Sequence, residues 1–171
     1  MNEADRKARN EAMLAQCNRV AAARFRLLLS FIEHEGHRPR INEGDAWRSP
    51  AEQAAAVASG HSTVPWGMHN ATTPDGKPDS LAIDLVDDDS PLVPRARFLQ
   101  RVNEVAPRFG LLTGILWSKK AHPLTEVEKA RIWNAVATGD WSEVHRIGFD
   151  PLHVQVAGLT IDEAKAGRRP V

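Results

Sequence analysis

One cysteine, Cys17, is the only thiol in a chain of 171 residues. No intrachain disulfide can form, which excludes a disulfide scaffold and fits synthesis in the cytoplasm. A thiolate-rich zinc site within one chain is excluded as well. Cys17 falls in an apolar helical pattern, where a thiol behaves as a small hydrophobe. Net charge is also missing, since 22 Lys and Arg offset 22 Asp and Glu. No global field would draw such a chain to DNA or to an anionic membrane, so nucleic acid is not an expected partner. The segment Met1 to Lys7 has no apolar h-region, so no secretory signal is read there. The longest apolar runs fall far short of the ~20 residues that a membrane span needs, so stable membrane insertion is not expected. The expectation is a protein made in the cytoplasm without a signal peptide. Any action beyond the inner membrane would then depend on a separate route of release.

What is present is an ordinary globular composition, 42% hydrophobic and 26% charged, with length enough for one domain over residues 1–171. Met13, Leu14, Cys17, Val20, Ala21, Phe25, Leu28 and Ile32 recur at helical steps, predicting a helix over 3–34 that stops at Gly36. Arg38 to Trp47 reads as extended. Ser49-Pro50-Ala51-Glu52 is a capping box with proline at the first helical position, opening a short helix that ends near Gly60. Residues 61–79 hold too many prolines and glycines for regular structure. Leu81 to Val86 alternates as a strand. An amphipathic helix is predicted over 94–108, a strand over Leu111 to Trp117, and a helix from the capping box Thr125–Glu128 to about Thr138. Trp141 to His145 forms a further turn, and Phe149 to Val156 is the last strand. The basic tail, 164–171, is expected to fray. No internal repeat or linker divides the chain. The sum is an α+β domain.

Three residues in two clusters carry metal-type chemistry. His69 lies in the proline-rich loop, Asp84 on the polar face of an apolar strand, and His153 between Leu152 and Val154 in the last strand. A carboxylate flanked by Ile83 and Leu85 is costly to bury without a partner. A strand-end position, an arginine or a metal would each account for it. Taken singly, each residue reads as a strand-end polar group or a satisfied core histidine; taken together they read as a metal site. Two imidazoles and one carboxylate hold zinc and leave a fourth position open. A water there has its pKa lowered toward ~7. Amide hydrolysis further needs a base, a cation for the oxyanion and a groove. Asp150, three residues before His153, is placed to be the base, although Asp-Pro also starts turns. Arg48, beside the helix cap, offers planar and permanently charged donors, or a plain surface ion pair.

The ordered set Trp47-Arg48-Ser49-Pro50-Ala51-Glu52-Gln53, His69, Ser80-Leu81-Ala82-Ile83-Asp84 and Asp150-Pro151-Leu152-His153-Val154-Gln155 resembles a family of zinc peptidases. This is the VanY-like D-alanyl-D-alanine carboxypeptidase family, which includes phage L-alanyl-D-glutamate endopeptidases and acts on bacterial cell-wall peptides. The matching order spans residues 47 to 155. The resemblance implies a hedgehog/DD-peptidase-like fold, a small antiparallel sheet with flanking helices. It implies one zinc ion held by His69, Asp84 and His153, with Asp150 as general base and Arg48 polarising the scissile carbonyl. Gln53 would support the substrate or the arginine, and Ser80 would contact substrate. The chain departs from the family pattern in a longer step from the histidine to Asp84 and a longer stretch over 118–148. A family tryptophan before the last motif would be Trp117 or Trp141. His61, in the same loop as His69, is the rival ligand.

The first expectation is therefore a zinc-dependent peptidoglycan peptidase acting on stem peptides as a monomer. It would be a phage or prophage endolysin that reaches the periplasm through a holin. A second is a zinc-binding module without catalysis, in a phage structural or wall-binding protein. A third is a helical binding protein whose long first helix docks a partner.

Overall fold

A computed structural model describes residues 1–62 and 64–171. Among the described residues four strands form: β1 (Pro39–Ile41), β2 (Ala82–Asp87), β3 (Leu111–Gly114) and β4 (Asp150–Val156). They make one sheet in the order β1-β2-β4-β3, with every neighbouring pair antiparallel. Among the described residues six α-helices accompany it: α1 (Glu3–Leu14), α2 (Arg19–His34), α3 (Pro50–Ala58), α4 (Ala96–Val105), α5 (Glu126–Thr138) and α6 (Ile161–Lys165). The fold is α+β, a small antiparallel sheet with flanking helices. No helix among the described residues is long and apolar enough to cross a membrane.

The first predicted helix is in fact two. Helical spacing runs on through Cys17, but the backbone there has another partner. Ser80 donates its N–H to Gln16 O at 3.0 Å and accepts from Asn18 N–H at 2.9 Å. The Asn18 side chain then caps α2, accepting from Val20 and Ala21 N–H. Four residues are thereby diverted to anchor the segment that leads into β2. The apolar face of α2 is consumed by the core, with Phe25, Leu28 and Ile32 fully buried against Ile83, Phe98, Val102, Leu111 and Val154. The continuous first helix on which the third expectation rests is thus interrupted, and Leu27 of α2 stays exposed. Truncating one such core side chain to alanine costs about 2–5 kcal/mol.

A second, smaller cluster lies under residues 115–147, where Ile115, Leu124 and Ile132 pack with Trp141 and Ile147. The C-terminal tail carries contacts where fraying was expected. The Arg169 guanidinium pairs with the Asp79 carboxylate and donates to Thr72 O at 2.5 Å and Ala164 O at 2.9 Å.

Candidate metal centre and active site

Register places the ligands. Asp84 on β2 lies directly opposite His153 on β4, the cross-strand relation that brings side chains on one face closest. The Asp84 Oδ1 to His153 Nδ1 distance is 2.8 Å. His69 reaches the pair from a single turn of 3-10 helix, Met68–Asn70. Its Nε2 is 3.2 Å from His153 Nδ1 and 3.4 Å from Asp84 Oδ1. The loop holding His69 is fixed from both sides. Arg48 N–H donates to His69 O at 3.0 Å, and Asn70 Nδ2 donates to Arg48 O at 2.8 Å. His61, the rival ligand, is exposed and sits with Ser59 Oγ at 2.8 Å, outside this cluster.

The outer contacts decide which ring atoms face inward. His69 Nδ1 lies 2.7 Å from Ala46 O, which can only accept. Its Nδ1 therefore donates to that carbonyl, which turns Nε2 toward the cluster. His153 Nε2 likewise faces Gln155 Oε1 at 3.1 Å. That leaves a carboxylate oxygen and two ring nitrogens converging within 3.4 Å of one another. Such a set needs a cation among its members. Without metal the cation is a proton on His153, whose pKa burial pulls down but the Asp84 carboxylate raises overall. Burial likewise works to raise Asp84, and the two histidines outweigh it, holding the carboxyl well below the usual range. With metal, the edges of a tetrahedron with bonds of about 2.05 Å measure about 3.3 Å, close to the observed spacing. His69, Asp84 and His153 could hold a metal ion. The backbone carbonyl behind His69 and the amide behind His153 are the outer partners that fix a ligating imidazole.

Asp150 begins β4 where the pairing with β3 is irregular. Thr113 faces Val154 but Gly114 faces Asp150, so the step between them passes three residues of β4. This bulge brings Asp150 into the electrostatic reach of the cluster. Burial, and then the Asp84 charge, push its carboxyl above the ordinary carboxylate range. The close crossing depends on two glycines. A Cβ on Gly114 would stand 2.3 Å from Asp150 O, and one on Gly148 would stand 2.4–2.6 Å from the carbonyls of Gly114, Ile115 and Trp117.

Arg48 precedes α3, whose predicted capping box is present: Glu52 N–H donates to Ser49 Oγ and Ser49 N–H to Glu52 Oε2. One arm of its guanidinium donates to Gln53 Oε1 at 3.2 Å, and the other lies 3.8 Å from Asp84 Oδ2. Gln53 is buried and donates in turn to Ser62 Oγ and Val64 O. It braces the arginine through Oε1 while Nε2 is engaged by the loop. Ser80 corrects the expectation more sharply. It is fully buried, and its hydroxyl donates to Ala46 O at 2.9 Å or Ala82 O at 2.8 Å. It holds the carbonyl that orients His69 and does not reach substrate.

No family model and no curated protein matches the chain. Among solved structures it is similar to the LdcB LD-carboxypeptidase, described for its peptidoglycan recognition, with a TM-score of 0.46 and 16% identity over 89% of this chain and 71% of that one. The chemistry of this chain rests on its own residues.

Two functional neighbours escaped the sequence reading. Asp45 is one; burial and the Asp84 charge raise its carboxyl, and its carbonyl accepts from Asp84 N–H at 2.8 Å. Nothing in its loop position signals this. Gln155 was legible in principle, since it shares a strand face with His153 two residues away. Of the two tryptophans weighed for the place before the last motif, Trp117 lies with its ring centroid 4.7 Å from that of His153. Trp141 instead donates its indole N–H to Glu104, away from the cluster.

Proposed function

We propose that the protein is a zinc-dependent peptidase of bacterial cell-wall peptides. The observation that carries the catalytic reading is the convergence of three electron-pair donors with a second, raised carboxyl and a braced guanidinium beside them. His69, Asp84 and His153 would hold one zinc ion. Bound there, zinc supplies a Lewis acid and makes hydroxide available near neutral pH.

Asp150 acts as the base. Its raised pKa suits a group that must take a proton from water and then give it up to the leaving amine. In the balanced reaction the water oxygen joins the carbonyl carbon, the C–N bond breaks, and the proton passes through Asp150 to nitrogen. Arg48 offers N–H donors to the carbonyl oxygen as it gains charge. Gln53 limits the rotation of that guanidinium, so the donors are in place beforehand. The Asp84 side chain keeps 29% exposure while both histidines are buried, which leaves one approach open. The wall-peptide substrate, with an L-Ala–D-Glu or D-Ala–D-Ala type of bond, is supported by the motif order over residues 47–155, and the role of phage or prophage lysin extends that reading.

The test is incubation with peptidoglycan, with and without chelator, beside Asp150→Ala. New amino groups should appear, vanish with chelator and return with zinc. The variant should bind zinc and release none. Stoichiometric zinc without any cleavage would leave a silent metal-binding module as the better account. Full activity in the variant would remove Asp150 from its role.

A further inference from the structure

Residues 115–149 leave the sheet after β3 and return at β4, and they line an open cavity of about 350 Å³. Its walls are Trp117, Lys119, His122, Arg146 and Phe149, over a floor of Leu124 and Ile147. Every charged group that lines it is basic. The cavity adjoins the metal centre, because the Trp117 ring lies 4.7 Å from His153 and 6.3 Å from Phe149, the residue before Asp150.

Its two cations are not equivalent. Arg146 donates to His122 O at 3.1 Å and Pro123 O at 2.5 Å, and lies 3.4 Å from Glu128. It braces the loop. Lys119 Nζ stands 5.7 Å from the Phe149 ring centroid and pairs with no carboxylate among the described residues. An ammonium held over an aromatic face at a cavity wall is an available point charge on a flexible stem.

We propose that this cavity takes the carboxylate-bearing residue on the leaving-group side of the scissile bond, and that Lys119 recognises the carboxylate. The assignment rests on the peptidase reading above. Both bond types considered there release a residue with a free carboxylate: the terminal carboxyl of D-Ala, or the α-carboxyl of D-Glu. The volume is at the low end of the roughly 300–1,000 Å³ of small-ligand sites, which suits one or two residues and not a long chain. Trp117 and Phe149 supply apolar faces for the rest of that residue.

The experiment uses the zinc-loaded full chain and two synthetic stem peptides, one with the free carboxylate beside the scissile bond and one amidated there. The wild type should favour the free acid in KM by about fivefold, the worth of one partly exposed charge pair. Lys119→Ala should erase the preference, Lys119→Glu should invert it, and Lys119→Arg should keep it. An equal KM for both peptides in the wild type, or a preference that survives Lys119→Ala, overturns the proposal. If neither peptide is cut, the peptidase reading fails instead. The Kd values of the same two peptides, read from tryptophan fluorescence, then still decide for or against Lys119.

Discussion

Zinc should raise the thermal stability of the protein, and the rise should grow with pH. The donor atoms stand 2.8, 3.2 and 3.4 Å apart before any ion arrives, so binding asks for little rearrangement. A ligand at about a thousand times its Kd adds ~4.1 kcal/mol to the folded state. For a chain of this size each kcal/mol moves Tm by about 2–4 °C, which predicts a shift of roughly 8–16 °C. The pH trend follows from the proton that zinc displaces. His153 has its folded pKa raised by Asp84. In metal-free protein the charged pair therefore stabilises the fold fully below the unfolded pKa of ~6.5 and loses that effect as pH rises through the folded value. Zinc competes with that proton, so its stabilisation should increase over the same interval. Differential scanning fluorimetry of metal-free and zinc-loaded protein from pH 5.5 to 8.5 measures both curves. His69→Ala should bind zinc more weakly and shrink the shift. A zinc shift independent of pH, or one untouched by His69→Ala, would refute the placement of the ion among these three atoms.

Burial pushes the Cys17 thiol up to about 12, so at pH 8 only ~10⁻⁴ of it is thiolate; alkylation of the native protein should take far longer than in denaturant, as mass spectrometry will read. Gly148→Ala should lower stability by about 1–3 kcal/mol or more, since its Cβ would meet three backbone carbonyls that cannot swing aside, and chemical denaturation will show whether it does. Arg95→Ala leaves the fully buried Asp87 carboxylate without its ion pair and should cost about 1–3 kcal/mol. Burial works to raise Asp87 and the Arg95 pairing outweighs it, leaving the pKa lowered. The wild-type margin over that variant should therefore be complete above pH ~4 and close as pH falls through the folded value of Asp87.

The strands that carry Asp84 and His153 were legible because alternation over six or seven residues suits a half-buried strand and little else. The register that sets them opposite each other was not, since it follows from long-range pairing. His69 was chosen over His61 by nearness to the Asp84 strand, and the geometry places only His69 in the cluster. The break at residues 15–18 was hidden by apolar residues that keep helical spacing through Cys17; Asn18 was the one local sign, as a strong N-cap type. Ser80 misleads because its position beside a site strand says nothing about which way the hydroxyl points. Lys119 and Arg146 lie in a stretch without periodicity, and only the folded loop turns them toward one cavity.

The crossing at Gly114 and Gly148 makes the 115–149 excursion a closed detour. Gly148 N–H donates to Ile115 O and Phe149 N–H to Trp117 O, so the chain re-enters the sheet beside the point where it left. Apart from Trp117, whose ring packs on His153, the residues between the two ends hang from that crossing. Doubling the length of such an excursion costs only about 0.6 kcal/mol in closure entropy. Selection could rebuild or lengthen the walls beyond Trp117 while the cluster of His69, Asp84 and His153 stayed still. The two glycines mark where the excursion is joined to the sheet that carries the candidate site, and they are the natural boundaries for exchanging one such loop for another.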